Sequence, residues 1–522
     1  MNIKETYELW KKCAVDDADL IPELNKMNDA DIEDAFYRYL AFGTAGLRGV
    51  IGAGTNRMNI YIIRKATQGV ANYINRHFKE EDRKVAIGYD SRIKSDVFAK
   101  ATASIFAANG IKVYIYRELM PVPFVSFATR ELKCAAGVMV TASHNPSKYN
   151  GYKVYGPDGC QITSEAAAEI TNEIANIDEF NGVLRGNFEN LMDSGMISYI
   201  SEDLITNFIE TVKKQSVLGD AKVNKDIAIV YSPLHGAGLK PVTRILKETG
   251  FSNVVVVKEQ EQPDGNFTTC PFPNPEIREA MQLGIEYAQR INADLLLATD
   301  PDCDRVGIAV KDKDGEFKLL NGNQTGSLLL DFICSVRKEN GTFPKQPYFV
   351  KTIVTTDMAE AIGNYYGAKC YNVLTGFKYI GDVIANNLEN RPEMTYILGF
   401  EESYGYLSGT YVRDKDAVDA SLLIVEMFAY YKNQNISLID KLNSLYEKFG
   451  YYLSTLDNYQ FEGSAGFKKM QDIMKVFKED VTSLGEYKIS QKLDYSKGVN
   501  GLPKSDVVEF DFTVDNKDDK LA

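Results

Sequence analysis

The stretch CAAGVMVTASHNP (134–146) runs from apolar residues into a polar loop, and its grammar returns as ADLLLATDPDCDR (293–305) and TYILGFEESYGY (395–406). A short apolar run that stops at turn residues reads as a buried strand. Each is preceded by similar neighbours. KVAIGYDSR (84–92), an Ala-rich helical stretch and a second strand, IKVYIYRELMPVP (111–123), lead to the first. DIAIVYSPLHGAG (226–238), a helical stretch and SNVVVVKEQEQPDG (252–265) lead to the second, and QPYFVKTIVTT (346–356), a helical segment and AKCYNVLTGFKYIG (368–381) to the third. Alternating strands and helices predict three consecutive α/β layered domains with mixed sheets, and ligand loops where the strands end. The copies share negligible identity, so the repeat is one of architecture.

Working outward, 522 residues exceed what one hydrophobic core usually holds and suggest about three or four domains. After about 440 the character changes. SLIDKLNSLYEKFG and AGFKKMQDIMKVFKEDV look like amphipathic helices, and VVEFDFTV alternates like a strand with one buried face, so a short α+β domain is expected there. The expected domain ranges are 1–205, 206–318, 319–440 and 441–522.

With 59 Lys and Arg against 72 Asp and Glu, the net charge is −13. Such a surface repels nucleic acid and anionic membrane, and any anionic substrate needs a local cluster of basic groups. No apolar stretch approaches the roughly 18 residues of a membrane span, and MNIKETYELWKKCAVDD has no apolar leader core, so a cytoplasmic protein is expected. Seven scattered Cys and three His (His77, His144, His235) offer neither a C-x-x-C pair nor a Cys/His cluster, which argues against a disulfide framework or zinc site.

Asp300, Asp302 and Asp304 follow an apolar strand at i, i+2, i+4. Three carboxylates on one tight loop offer hard oxygen ligands to a small divalent cation; the alternative is a solvated acidic turn. A calcium loop starting at Asp300 fails, because its sixth position is Arg305 rather than Gly and its twelfth is Lys311 rather than Glu. Mg²⁺ is the expected ion. In TASHNPSKYNGYKVYGPDG (141–159), Ser143 is a candidate nucleophile that needs a proton acceptor or metal, with Lys153 a candidate base on the same loop. A turn held by side-chain to backbone hydrogen bonds reads the Ser143–His144 pair equally well.

Glu401 and Ser403 in GFEESYGY suit sugar hydroxyls. Arg413 and Lys415 stand just before the helix ASLLIVEMF, where cations are unfavourable for the helix dipole and suggest a bound anion, although a solvated charge run is the default. Arg48 in FGTAGLRG is a further lone cation. Neither G-x-G-x-x-G nor a P-loop string occurs; Gly236 and Gly238 come closest, with Pro241 where a third Gly belongs.

Taken in order, TASHNP, DPDCDR and GFEESYGY closely resemble the α-D-phosphohexomutase superfamily, and the chain looks most like its phosphoglucomutase branch, which also holds phosphopentomutases. The resemblance spans about residues 40–510. It implies that Ser143 carries a phosphoryl group, and that Asp300, Asp302 and Asp304 hold a Mg²⁺ that also touches Ser143. It implies that Arg305 and Arg48 flank the phosphoserine, with His144 and Lys153 beside the reacting hydroxyl. Glu401 and Ser403 would contact sugar hydroxyls, Thr375, Gly376, Phe377 and Lys378 would form the sugar-discriminating loop, and Lys415 would approach the substrate. Glucose 1,6-bisphosphate is the implied intermediate and activator, and sugar phosphates the partners. E-E-S favours glucose, and Gly405 stands where mannose-accepting relatives have His. Phosphopentomutase and phosphomannomutase remain alternatives, as do a sugar-phosphate-binding protein with little turnover and a phosphatase. The family's Arg-x-Ser-Gly-Thr-Glu-Pro phosphate clamp has no counterpart string here, since Ser408-Gly409-Thr410 is followed by Tyr411, so the resemblance implies an incomplete fourth domain.

Overall fold

The computed structural model describes residues 2–44, 46–219, 221–459, 461 and 463–513. By its contacts the chain divides into a larger unit, Met1–Tyr371 with Gly376–Tyr452, and a smaller one, Asn372–Thr375 with Leu453–Ala522.

The larger unit carries the three expected α/β layers, and each sheet is mixed. The first orders its strands Leu47–Val50, Tyr149–Tyr155, Ala136–Val140, Lys84–Tyr89, Lys112–Ile115, Ile197–Tyr199. The four from Ala136–Val140 onward are parallel neighbours, and the first two run antiparallel to theirs. The second sheet runs Phe317–Leu320, Val306–Lys311, Leu295–Thr299, Ile229–Ser232, Val254–Val256, again with a parallel centre and an antiparallel edge. The third runs Lys369–Val373, Pro347–Thr352, Thr395–Glu401, Gly405–Leu407. Its central strands pair in parallel and its last antiparallel. The central strands Ala136–Val140 and Leu295–Thr299 are buried at every position, which is why both read as uninterrupted apolar runs.

In all three layers the motif loop joins a central strand to its antiparallel neighbour. Sequence reading placed these loops at strand ends but did not anticipate the returning strands, because Tyr149–Tyr155 and Gly405–Leu407 carry polar or glycine residues that mask their burial. The strand expected over 111–123 is shorter: it stops at Ile115, and Pro121 leads into the helix Val122–Glu131, with Pro123 in its first turn. Proline lacks an amide to donate to a ladder and is pre-set for a helix start. Likewise only Val254–Val256 of 252–265 is strand.

The expected limits at 205/206, 318/319 and 440/441 fall inside the helix Glu202–Lys213, the strand Phe317–Leu320 and the helix Leu438–Phe449. The last of these packs against the helices Gly322–Glu339, Met358–Tyr366 and Ala417–Asn433 of the third layer. An N-terminal helix, Ile3–Cys13, buries Trp10 edge-on against Phe36, Tyr61 and Phe180.

The smaller unit holds the helix Gly463–Lys478 and an antiparallel sheet of Ser483–Leu484, Tyr487–Asp494 and Val508–Thr513. The α+β character expected after 440 is present; Val514 of the expected strand lies outside the described residues. Among the described residues no helix is long and apolar enough to cross a membrane.

Candidate active site

The first hairpin loop carries Ser143 in a left-handed conformation, φ 53°, which a non-glycine residue adopts at a cost and only when its surroundings enforce it. Thr141 and Arg92 enforce it. Thr141 Oγ1 accepts from the Ser143 amide at 2.8 Å and donates to Asp90 Oδ2 at 2.6 Å. The buried Arg92 guanidinium donates to the carbonyls of Ser143 and Asn145, and to those of Pro146 and Tyr149 at 3.0 Å each. Asp90 Oδ2 balances it, 3.4 Å from Arg92 Nε. So held, Ser143 Oγ donates to Asp300 Oδ2 at 2.9 Å and lies 3.2 Å from His144 Nδ1.

The second hairpin loop gathers the three aspartates, all buried, with one ligand oxygen from each within 4.8 Å of the others. Asp300 Oδ1 accepts from the amides of Asp304 at 3.1 Å and Arg305 at 3.0 Å, which closes the loop on itself. Cys303 at its tip also has positive φ, 50°. Burial, then Asp302 and Asp304, push the Asp300 carboxyl well above its ordinary range. Burial would raise Asp304 too, but Lys415, Lys153 and Arg305 hold it below. Among the described residues, Asp302 Oδ1 and Asp304 Oδ1 are buried with no hydrogen-bond partner. Unpaired carboxylate oxygens facing like charge are costly unless a cation joins them, so the donor set fits a hard divalent ion.

The third hairpin loop brings Glu401, whose Oε1 accepts from the Gly376 amide at 3.0 Å. Glu401 Oε2 faces Lys415 Nζ at 3.9 Å, and Lys415 also meets Asp304 Oδ2 at 3.4 Å and Asp414 Oδ1 at 3.2 Å. Gly405 is required here: a Cβ on it would come within 2.0 Å of Lys415 Cδ. Tyr404, just before Gly405, gives this third motif loop its own positive-φ residue, at 64°, as Ser143 and Cys303 do the first two. Its carbonyl accepts from the Val306 amide at 3.1 Å, and Asp302 O accepts from the Val122 amide at 2.9 Å, so the second loop is hydrogen-bonded to both neighbouring layers.

The remaining predicted residues fall as follows. Lys153 is on the strand Tyr149–Tyr155, not the loop, and its ammonium pairs with Asp302 at 2.9 Å and Asp304 at 3.2 Å. Burial works against its charge but those carboxylates raise its pKa, so it stands as their counter-ion. His144 is the reverse: burial, then Arg305 and Arg48, depress it to about 2 and leave a neutral imidazole. Arg48, on the strand Leu47–Val50, reaches the Ser143 loop, its Nη1 donating to Asn145 Oδ1 at 3.1 Å, and Arg305, at the end of the aspartate loop, donates from Nη1 to Glu276 Oε1 at 2.7 Å. Phe377 is buried under Lys415, 5.6 Å from its ring centroid, and Lys378 Nζ donates to Thr44 Oγ1 at 2.8 Å. Ser403 is half-buried at the hairpin tip and Thr375 is exposed before Gly376.

Arg413 is not brought to the site. Its guanidinium donates to the Thr410 and Val412 carbonyls, and its amide donates to Ser126 Oγ at 3.0 Å. Arg130 also donates to Thr410 O, at 2.7 Å. Burial and then Arg130 depress the Arg413 pKa to about 10, so it braces the loop ahead of Lys415 from behind. Arg92, Asp90, Thr141 and Glu276 were missed. The usable signal was the polar SR tail of KVAIGYDSR, one more strand end in the same sheet.

Three matches to phosphoglucomutase/phosphomannomutase alpha/beta/alpha domains I, II and III cover residues 39–181, 206–315 and 321–449. The chain is 35% identical over 489 residues to a phosphoglucomutase of Staphylococcus saprophyticus, covering 91% of this chain and 87% of that one. It is 33% identical over 515 residues to a phosphoglucomutase of Staphylococcus aureus, covering 96% and 90%. Among solved structures, the open form of the phosphoglucomutase parafusin from Paramecium matches with a TM-score of 0.64 at 18% identity, over 91% of this chain and 86% of that one.

Proposed function

Because the chain belongs to the phosphoglucomutase/phosphomannomutase family and is accordingly a phosphohexomutase, an isomerase, we propose that it interconverts glucose 1-phosphate and glucose 6-phosphate through a phosphoryl group on Ser143. The observation that carries this is the buried Ser143 hydroxyl, aimed by a left-handed turn and donating 2.9 Å to Asp300.

In the proposed cycle the O–P bond of phosphoserine breaks as a sugar hydroxyl oxygen bonds to the same phosphorus. Asp300, Asp302 and Asp304, with Ser143, would hold Mg²⁺, which when bound offsets charge on the transferring oxygens. Arg48 and Arg305 flank the same centre. The hydroxyl proton goes to a basic group beside Ser143; His144, whose Nδ1 lies 3.2 Å from Ser143 Oγ, is placed for this, and the negative charge of a phosphate there would raise the basicity that burial, Arg305 and Arg48 depress. Lys153, paired with the aspartates, supplies positive charge to the transferring group. Glucose 1,6-bisphosphate results, turns over in the cleft and returns its other phosphate to Ser143, which restores the phosphoenzyme. Glu401, held by Gly376, and Ser403 contact sugar hydroxyls in both orientations, Thr375, Phe377 and Lys378 complete that loop, and Lys415 reaches the substrate. The preference for glucose rests on the resemblance of E-E-S in GFEESYGY to the glucomutase form, with Gly405 where mannose-accepting relatives have His; packing against Lys415 leaves no room for a larger residue there. A cytoplasmic setting is supported by seven cysteines that are all unpaired.

The test is the mass of the purified protein with any phosphate localised by peptide mapping, followed by its fate on adding glucose, mannose and ribose 1-phosphates. Transfer from Ser143 to glucose phosphate confirms the reading. Release as inorganic phosphate would make the protein a phosphatase, and preference for mannose or ribose phosphate would reassign the substrate.

A further inference from the structure

The turn Pro233–Gly238, which no step above uses, lies directly on the aspartate loop. Gly236 is packed so closely that a Cβ would come 2.4 Å from Pro301 Cα. The Ala237 amide donates to Pro301 O at 2.8 Å, and a Cβ on Gly238 would sit 3.0 Å from Cys303 Sγ. This close seating requires two successive non-glycine residues with positive φ, Leu234 at 45° and His235 at 62°. Such a pair stays put only where side chains over-determine it.

His235 does so. Its ring is buried and uses both nitrogens: Nδ1 is 2.9 Å from the Gln262 carbonyl and Nε2 is 2.8 Å from Thr269 Oγ1. A carbonyl can only accept, so Nδ1 carries a proton and donates, while Nε2 pairs with the threonine hydroxyl. The His235 amide donates to Gln260 O at 3.0 Å. The segment it grips reaches the other half of the site. Gly265 sits against the backbone of Ser91 and Ile93, and the buried Phe267 ring lies 5.0 Å from the Arg92 guanidinium, which donates to the Ser143 carbonyl.

We propose that His235 is a positioning residue for phosphoryl transfer, a strut that fixes the aspartate loop through Ala237 and Pro301 and ties it to the Arg92 clamp on Ser143 through residues 262–269. It touches neither substrate nor reacting atoms, and its role rests on the mutase reading above. Its mechanical part is independent of that reading: without the strut the aspartate loop loosens whether or not metal binds.

The experiment uses the full chain, with His235→Ala, His235→Asn and Thr269→Val. Asparagine tolerates positive φ and places an amide near Nδ1, so it keeps the donation to Gln262; alanine loses both contacts. Hydrogen exchange of metal-free protein is followed in peptides covering 296–306, whose Cys303, Asp304 and Arg305 amides are internally bonded. Mn²⁺ binding is measured in parallel by electron paramagnetic resonance. In His235→Ala these amides should exchange faster and Mn²⁺ should bind about tenfold more weakly, with Asn restoring most of both and Thr269→Val intermediate. Normal exchange at 300–305 in folded His235→Ala, or in Thr269→Val if the alanine variant does not fold, overturns the proposal. So does a drop in melting temperature with unchanged loop exchange and Mn²⁺ affinity. Faster loop exchange with no Mn²⁺ bound by any variant, the unmutated chain included, would uphold the strut and instead overturn the metal-dependent reading.

Discussion

Ser143 Oγ donates to Asp300 Oδ2 across 157 positions of sequence at 2.9 Å. The two residues occupy corresponding places in their sheets, each in the loop between a fully buried central strand and its antiparallel neighbour. That shared placement explains how separate layers meet at one oxygen. A loop at the end of a rigid, buried strand has its position set by the core, so two such loops can be aligned to hydrogen-bonding precision without flexible parts between them.

If Ser143 is the phosphoryl carrier, Ser143→Ala should cut isomerisation by ~10⁴-fold or more while leaving the fold intact. The hydroxyl makes one carboxylate hydrogen bond, and an alanine methyl leaves the backbone held by Thr141 and Arg92, so stability should change by less than about 2 kcal/mol. Steady-state rates with a urea unfolding curve on the same preparation check both parts. Near-normal turnover by the folded variant removes Ser143 from the mechanism.

Removing the metal should stop both directions of the reaction, because the same carboxylates serve both half-reactions. Asp302 Oδ2 already takes Lys153 at 2.9 Å and lies 3.1 Å from the Thr141 hydroxyl, which leaves the buried Oδ1 for an ion. Asp302→Asn replaces one acceptor by an amide and should raise the Mg²⁺ needed for half-maximal rate at least ~10-fold. The rate is titrated with Mg²⁺ after chelation. Full activity in excess chelator would contradict this.

How far the site was legible follows from how concentrated its chemistry is. Asp300, Asp302 and Asp304 stand within five residues, and Ser143 and His144 are adjacent, so local sequence held most of what the geometry shows. Arg413 and Lys415 are only two apart, yet one faces the aspartates and the other turns back to its own loop carbonyls. Nothing local separates them, since the direction is decided by Ser126 and Arg130 from another layer. Arg92 stayed hidden for the same reason: the groups it clamps are carbonyls of residues 143–149, distant in sequence, while its charged neighbour Asp90 lies in the same strand-end turn and points to nothing beyond it. The layers were readable from strand runs, but the edge strand Gly405–Leu407, three residues long, is too short for any alternation to register.

Arg92→Lys tests the clamp. An ammonium is a single point of charge and cannot span four carbonyls as the planar guanidinium does. The Ser143 turn should relax toward negative φ, so kcat should fall by about 10–100-fold with little change in Mg²⁺ requirement, and stability by about 1–3 kcal/mol from the carbonyls left unpaired. Comparing kcat, the metal titration and unfolding midpoints separates this from general damage. Unchanged kcat in the destabilised variant would show that Ser143 holds its conformation without Arg92.

The last expectation concerns pH and lies away from the reaction centre. Asp419, on the buried helix Ala417–Asn433, accepts from the Ser408 hydroxyl and amide at 2.8 Å each. Burial first and Asp416 second push its carboxyl up from 3.8 to about 8. The folded state therefore keeps a proton that the unfolded chain releases above pH 3.8, and the folded state binds more protons throughout that window. Stability from the neutral acid is thus full below the unfolded pKa and is lost as pH rises toward the folded one. Asp419→Asn supplies an uncharged group of the same shape, whose oxygen can accept from the Ser408 amide while its amide donates to the hydroxyl. Its stability should fall less than the unmutated protein's between about pH 5 and about pH 8, and the curves should converge or cross toward the alkaline end. Urea midpoints across that range measure it. Parallel curves would mean that Asp419 is ionised in the folded protein, and that the charge is balanced by Ser408 and the helix N-terminus rather than neutralised by a proton.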